Sequence, residues 1–333
     1  MADALSHPEK KLARHGPANG ATIRSLIKVA ARKAIDIAVV LPARRIRWVR
    51  YALAYAGEKA CPRLPGQSYF DRMTAYERLK DLFIDHGAAS SRYGSAIRAL
   101  IVERFEKIDR EIDIQSTPAD GLFLAEALLT LDCTGALVEC GCFNGGSTAK
   151  LSVLARVTGR PLFVFDSFEG LPQTDSNDAR DFHARRSASI KRDWVAGEYA
   201  AALERVQENV GKYGEIGPCT FIRGWFNETL QRHLPPRIAL AFTDVDLPSS
   251  AKDCLIHIWP RLSAGGVFFS HDIAYIKVLQ NFSDQHLWKD VLQEPQPVFW
   301  GAGYGMGDGS PHLGFAVKGE VTAEYIKSLT PYK

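Results

Sequence analysis

Hydrophobic positions in this chain follow two rhythms, one before residue 135 and one after it. Apolar residues recur at helical spacing through Ile23, Leu26, Ile27, Ala30, Ala34 and Ile37, then, past Pro42, through Ile46, Val49, Leu53 and Ala54. The same spacing predicts helices over Tyr69–His86 and Ala96–Ile112. Ser116-Thr117-Pro118 supplies a cap and a first-turn proline for another, running through Leu122–Leu131. Beyond residue 135, short unbroken apolar runs alternate with longer amphipathic ones. Strands are predicted over 136–140, 161–166, 218–223, 237–243 and 265–270, with helices over 147–157, 198–212, 226–233, 249–259 and about 275–290. Two late runs, Pro297–Trp300 and Leu313–Val317, flank the turn GAGYGMGDGS and read as a closing pair of strands. Short apolar strands buried on both faces, alternating with helices, give a doubly wound, mostly parallel α/β sheet of seven strands with an antiparallel edge. The expected organisation is a disordered stretch over 1–20, a helical region over 21–115 and the sheet domain over 116–333.

Charge separates the front of the chain from the rest. Residues 1–60 hold twelve Lys or Arg against four Asp or Glu, a surplus of eight, so the remainder carries −5 of the net +3. Arg44, Arg45, Arg47 and Arg50 surround Trp48 and Tyr51, a composition suited to a membrane surface and equally to a helix packed on its own domain or on a second subunit. Residues 21–57 are therefore a candidate for peripheral membrane contact or for homo-oligomer formation. No nucleic-acid motif accompanies the charge. No apolar run approaches the roughly 20 residues of a membrane span, and the N-terminus carries no secretory pattern. The six cysteines form no C-x-x-C pair, which favours reduced, buried thiols and a cytoplasmic protein.

The stretch LVECGCFNGGSTAKLSVLARVTGRPLFVFDSFEGLP, Leu137 to Pro172, reads as strand, glycine turn, helix and second strand. Ser147 and Thr148 stand where they could cap the helix. The glycines Gly141, Gly145 and Gly146 do not form G-x-G-x-x-G, which disfavours a nicotinamide dehydrogenase. Glu139 before the turn suits a cationic ligand better than a pyrophosphate. S-adenosylmethionine meets these demands: its amine and sulfonium can face acidic groups, its carboxylate a helix N-terminus, and its ribose Asp166 at the strand end. An ordinary βαβ turn without a ligand is the alternative. Phe143, Asn144, Gly145, Ser147 and Ser167 complete the candidate set on this side. Gly224 would let a flat ring approach the backbone, and Trp225 or Phe226 could cover an adenine or simply fill the core.

Further candidates stand at two later strand ends. Thr243-Asp244-Val245-Asp246 places two carboxylates at i and i+2, on one face if the chain stays extended. Ser270-His271-Asp272 closes the next strand. Converging carboxylates repel unless protonated or bound to a cation, and oxygen ligands suit Mg²⁺. Asp246 could instead cap the helix beginning near Ser249. The polar segment Gln173–Ala196 reads either as a lid over the cofactor or as a surface insertion.

The ordered blocks LVECGCFNGGSTAKLS, LFVFDSFEGLPQ, FIRGWFNETL, LAFTDVDLPSSAKDCL and LSAGGVFFSHD resemble the macrocin O-methyltransferase family over about residues 116–290. That family comprises class I, Rossmann-like enzymes that methylate sugar hydroxyls. The resemblance implies that Glu139 and Gly141 line the methionine end of S-adenosylmethionine and Asp166 its ribose. It implies a divalent metal on Asp244, Asp246 and Asp272, with Asp244 also near the donor, and Asp246 or His271 as the base. His271 departs from the residue that relatives often show. The acceptor implied is a glycan or small-molecule hydroxyl; a phenolic acceptor, or a non-catalytic module binding through its basic arm, are the rival readings.

Overall fold

The computed structural model describes residues 69–87, 92–174, 176–178, 194–301, 306, 310–320, 322 and 326. The expectations for residues 1–57, membrane contact and self-association among them, lie outside the described residues, as does most of the segment 173–196. No helix among the described residues is long and apolar enough to cross a membrane.

Three helices come first: α1 (Tyr69–His86), α2 (Ser95–Glu111) and α3 (Pro118–Thr130). The Thr117 hydroxyl accepts the Asp120 N–H while the Asp120 carboxylate accepts the Thr117 N–H, so α3 starts in the capping box that Ser116-Thr117-Pro118 announced. Then come β1 (Ala136–Cys140), α4 (Gly146–Thr158), β2 (Leu162–Asp166), α5 (Leu203–Tyr213), β3 (Cys219–Arg223), α6 (Phe226–His233), β4 (Ile238–Thr243), α7 (Pro248–Ile258) and β5 (Leu262–Ser270). The chain closes through α8 (Ile276–Ser283), a π-helical turn over Leu287–Leu292, β6 (Phe299–Trp300) and β7 (Gly314–Val317).

The seven strands lie in the order β3-β2-β1-β4-β5-β7-β6, parallel except for the last two pairings. Alternate residues face opposite layers, as the period of 2 requires. Leu137, Val164, Leu240 and Phe269 pack with α1 to α5, whereas Val138, Phe165, Ala241 and Phe268 pack with α6 to α8. Helices α1 and α2 thus share a core with the sheet: Phe83, Ile101 and Phe105 are buried with Leu122 and Leu151. A buried Arg98–Glu126 ion pair, joined by His86, ties α1, α2 and α3 together. The partner groups matter here, because either charge left alone in that interior would be strongly destabilising.

Three boundaries differ from the sequence reading by more than two residues. Strand β5 starts at Leu262 rather than 265, because Gly265 at φ 77° absorbs a register shift against β4 and lets the strand continue. Helix α5 starts at Leu203 rather than 198, since Tyr199 takes φ 59° and residues 197–198 hydrogen-bond back to Leu171. The helix expected over 275–290 breaks at Asp284, whose carboxylate accepts the N–H groups of His286 and Leu287 to start a new turn.

Candidate functional site

The order of the strands sets the place of the site. From β1 the chain runs outward through β2 and β3, then returns to β4 on the other side, leaving a crevice beyond the carboxyl ends of β1 and β4. The register aligns Cys140, Thr243 and Ser270 across β1, β4 and β5. The next residue of each strand, Gly141, Asp244 and His271, therefore emerges beside the others. Two further hydrogen bonds continue the ladder, from Asp244 N–H to Cys140 O and from His271 N–H to Thr243 O, both at 2.9 Å.

A cleft opens there, lined by Gly141, Phe143, Ser147, Asp166, Ser167, Gly224, Trp225, Asp244, Asp246, His271 and Asp272, all named from the sequence. Glu139, Asn144 and Gly145 are not in its lining. Gly145 is the N-cap of α4, at φ 81°, so Ser147 and Thr148 sit inside the helix and do not cap it. The Asn144 carbonyl accepts a hydrogen bond from the Asn209 amide, which ties the turn to α5.

Asp166 organises the β1–β2 side of the cleft through both carboxylate oxygens. Oδ2 accepts the Cys142 N–H and Oδ1 the Phe168 N–H, each at 2.7 Å, so this one residue holds the glycine turn and its own following loop. Phe168 itself sits at φ 57°. Each oxygen keeps a second lone-pair direction for a hydroxyl.

Glu139 lies on the layer side of β1 shared with Leu137, beneath the start of α4. It is fully buried, neither carboxylate oxygen has a hydrogen-bond partner, and burial pushes its pKa up to about 8. The Ser147 and Thr148 hydroxyls offset part of that rise, while Asp166 and Asp244 add to it. The folded protein thus keeps a proton that the unfolded chain loses near pH 4.5, and stability falls as pH rises through that window toward 8. Glu139→Gln should remove this dependence. The variant's unfolding free energy is expected to gain on wild type by about 3 kcal/mol between pH 5 and pH 8, in order of magnitude. Parallel curves in denaturant titrations at the two pH values would show that the carboxyl is not held protonated.

At the far end of the cleft, Asp244, His271 and Asp272 each offer a ligand atom within 4.8 Å of the others. Asp272 is buried, and its Oδ2 accepts the N–H groups of Val245 at 3.0 Å and Asp246 at 2.8 Å. Burial and the Asp244 charge nevertheless raise its pKa to about 6, against the opposing pull of His271 and those two N–H groups. Asp246 lines the cleft but stands outside this cluster. The i, i+2 argument assumed an extended chain, and Asp246 adopts φ 59°, which turns it off the line of β4. Nor does it cap α7: the N-cap there is Leu247, and Asp178 from the long segment accepts the Ser249 N–H at 3.1 Å.

On donor chemistry the cluster fits a divalent cation, since the Asp244 charge raises the pKa of Asp272 and a positive ion between the two carboxylates would relieve that repulsion. His271 belongs to that cluster rather than standing aside. Burial alone would lower its pKa, but Asp244 and Asp120 together hold it well above the usual imidazole range.

Several lining residues had no signal in the sequence. Asp113 to Ser116, the linker between α2 and α3, form one wall. Ile114 lies against Gly146, where a Cβ would meet its Cγ1 at 2.1 Å. Tyr199, Tyr275 and His312 form another part of the wall. Tyr199 meets Phe143 edge to face at 5.6 Å, and Trp194 packs between Tyr199 and Tyr275.

The family model for macrocin-O-methyltransferase matches residues 123–299. Among curated relatives, an 8-demethyl-8-(2,3-dimethoxy-alpha-L-rhamnosyl)-tetracenomycin-C 4'-O-methyltransferase of Streptomyces olivaceus is 34% identical over 156 residues, 46% of this chain and 58% of the relative. Mycinamicin III 3''-O-methyltransferase of Micromonospora griseorubida is 28% identical over 176 residues, 50% of this chain and 68% of the relative. The matched stretch therefore spans little more than half the length of the first relative. The solved structure of the O-methyltransferase NovP superposes with a TM-score of 0.50 at 18% identity, covering 74% of this chain and 100% of that one, which shows the shared fold.

Proposed function

As the chain belongs to the macrocin-O-methyltransferase family, we propose that it transfers a methyl group from S-adenosylmethionine to a hydroxyl of a sugar or glycosylated small molecule. The observation that carries this reading is the shared register of β1, β4 and β5, which sets Gly141 of the donor turn beside Asp244 and His271. On this reading one cleft has a nucleoside-binding end at the glycine turn and an acidic end at Asp244 and Asp272. A relative acting on a rhamnosyl-bearing tetracenomycin supports a sugar hydroxyl as the acceptor.

In this reading Asp166 takes the ribose hydroxyls, Trp225 lies against the adenine, and the turn from Gly141 to Ser147 receives the methionine end. The transfer is an in-line displacement: the sulfur–methyl bond breaks as the oxygen–methyl bond forms, and the hydroxyl proton must leave. Asp246 is assigned the base, because it lines the cleft without belonging to the cluster. Both ring nitrogens of His271 face carboxylates, and His271 belongs to the cluster. A divalent cation would be held by Asp244, His271 and Asp272, where it would lower the pKa of the acceptor hydroxyl and fix its direction. The protein's own part is to hold the two substrates in line and to keep the proton acceptor beside the oxygen.

S-adenosylhomocysteine should stabilise the protein, by about 2.7 kcal/mol at a hundred times its Kd, and Asp166→Asn should lose most of that response. An amide at this position must turn an NH₂ toward the N–H of Cys142 or Phe168, so the turn loses one of its two anchors. Methylation assays with rhamnosyl glycosides and nucleotide sugars beside catechols identify the acceptor class. Transfer to catechols alone would overturn the sugar assignment, and a wild-type protein with no response to S-adenosylhomocysteine would overturn the donor.

A further inference from the structure

Metal-assisted methyl transfer leaves the identity of the ion open, and the geometry around His271 bears on it; the choice of ion rests on that reading of the cleft. His271 is more than nine-tenths buried, with Nδ1 3.0 Å from Asp244 Oδ1 and Nε2 3.4 Å from Asp120 Oδ2. Asp120 comes from α3, behind the cleft. It is buried too, and is fixed by the Thr117 N–H at 2.6 Å and by the Ser310 hydroxyl. The imidazole therefore turns one nitrogen to an anchored carboxylate and the other to the cleft. A dication that displaces the cleft-side proton would leave the N–H on the Asp120 side, and Nδ1 would then offer its lone pair to the metal.

One pair of donors already has the spacing of such a site. Donors on adjacent corners of an octahedron with bonds of about 2.1 Å lie about 3 Å apart. Nδ1 and Asp244 Oδ1 already lie 3.0 Å apart. Asp272 is the third donor, oriented by the two N–H groups on its Oδ2. Magnesium takes oxygen ligands and gives up water reluctantly, whereas imidazole suits transition ions. We propose that Asp244, His271 and Asp272 form a mixed nitrogen–oxygen site for a first-row transition dication such as Mn²⁺ or Co²⁺, with Asp120 positioning the imidazole. Mg²⁺, the ion expected from the carboxylates alone, is the poorer occupant.

The test uses the full-length protein with S-adenosylhomocysteine. Pulsed electron paramagnetic resonance of added Mn²⁺ should show coupling to a ¹⁴N nucleus, absent in His271→Asp. The preference for Co²⁺ over Mg²⁺ by titration calorimetry should fall about tenfold or more in that variant. Asp120→Asn should weaken Co²⁺ binding by about 10–100-fold, with the thermal response to S-adenosylhomocysteine intact as the check on folding. If that variant does not fold, the nitrogen coupling in wild type decides. Bound Mn²⁺ without nitrogen coupling, an unchanged Co²⁺ preference in His271→Asp, or no Mn²⁺ binding by a protein that binds S-adenosylhomocysteine would each overturn the proposal. The last result would leave methyl transfer standing, because the donor response is read separately.

Discussion

Gly141→Ala should give a protein that has lost the thermal response to S-adenosylhomocysteine and melts well below wild type. Gly141 sits at φ 84°, and a Cβ there would lie 2.0 Å from the Asp244 carbonyl oxygen and 2.9 Å from its carbon. Neither side can yield cheaply. The Gly141 N–H is bonded to Phe165 O at 3.0 Å, and the Asp244 N–H to Cys140 O at 2.9 Å, so both colliding residues are held by the sheet ladder. The left-handed conformation costs an alanine about 1 kcal/mol by itself, and parting β1 from β4 brings the total above about 4 kcal/mol. In a domain of this size that is a fall in Tm of about 8–16 °C.

Gly159→Ala is the matched control. Gly159 has φ 67°, but nothing lies within 4 Å of its Cβ position, so only the backbone term remains. That variant should melt a few degrees lower, in line with about 1 kcal/mol, and bind S-adenosylhomocysteine as wild type does. If Gly141→Ala behaved like Gly159→Ala, the close approach of β1 and β4 would not be what shapes the cleft.

The contrast between these glycines shows what can be read from the chain alone. The spacing of Gly141, Gly145 and Gly146 announced a tight turn, and the apolar runs around it placed the strands to within a few residues. Asp166, Asp244, His271 and Asp272 were legible because they end apolar runs, and strand ends converge in a parallel sheet. Contacts made from outside that sheet were not legible. Thr117-Pro118-Ala119-Asp120 reads as a helix cap, and it is one; nothing local announces that the same Asp120 carboxylate also faces His271. Asp246 was grouped with the metal ligands by a rule for extended chain, and the backbone turns at that residue. Tyr199 was read as helix, although its place in the wall depends on residues 197–198 pairing with Leu171.

Asp272→Asn tests the acidic end of the cleft with the least disturbance to the fold. Asparagine keeps the volume and one oxygen to accept the Val245 and Asp246 N–H groups, while removing the charge. The wild-type carboxyl has its pKa raised from 3.8 to about 6, so the folded state retains a proton that the unfolded chain loses. Stability is therefore lost as pH rises through that window, and above pH 6 the full cost is present. Asparagine escapes this cost, so the variant should melt at or above the wild-type temperature at pH 7.5. On the proposed metal-assisted reading, turnover should nevertheless fall about 10³-fold, about 4 kcal/mol of barrier, because the acceptor hydroxyl would lose an anionic neighbour and the cation a ligand. S-adenosylhomocysteine affinity should hold within about threefold, since Asp166 and the glycine turn are untouched. A stable protein that binds the donor and does not turn over would separate the two ends of the cleft, as functional sites commonly trade stability for chemistry. Undiminished kcat in Asp272→Asn would move the reacting hydroxyl away from the ends of β4 and β5, and the assignment of Asp246 as base would go with it.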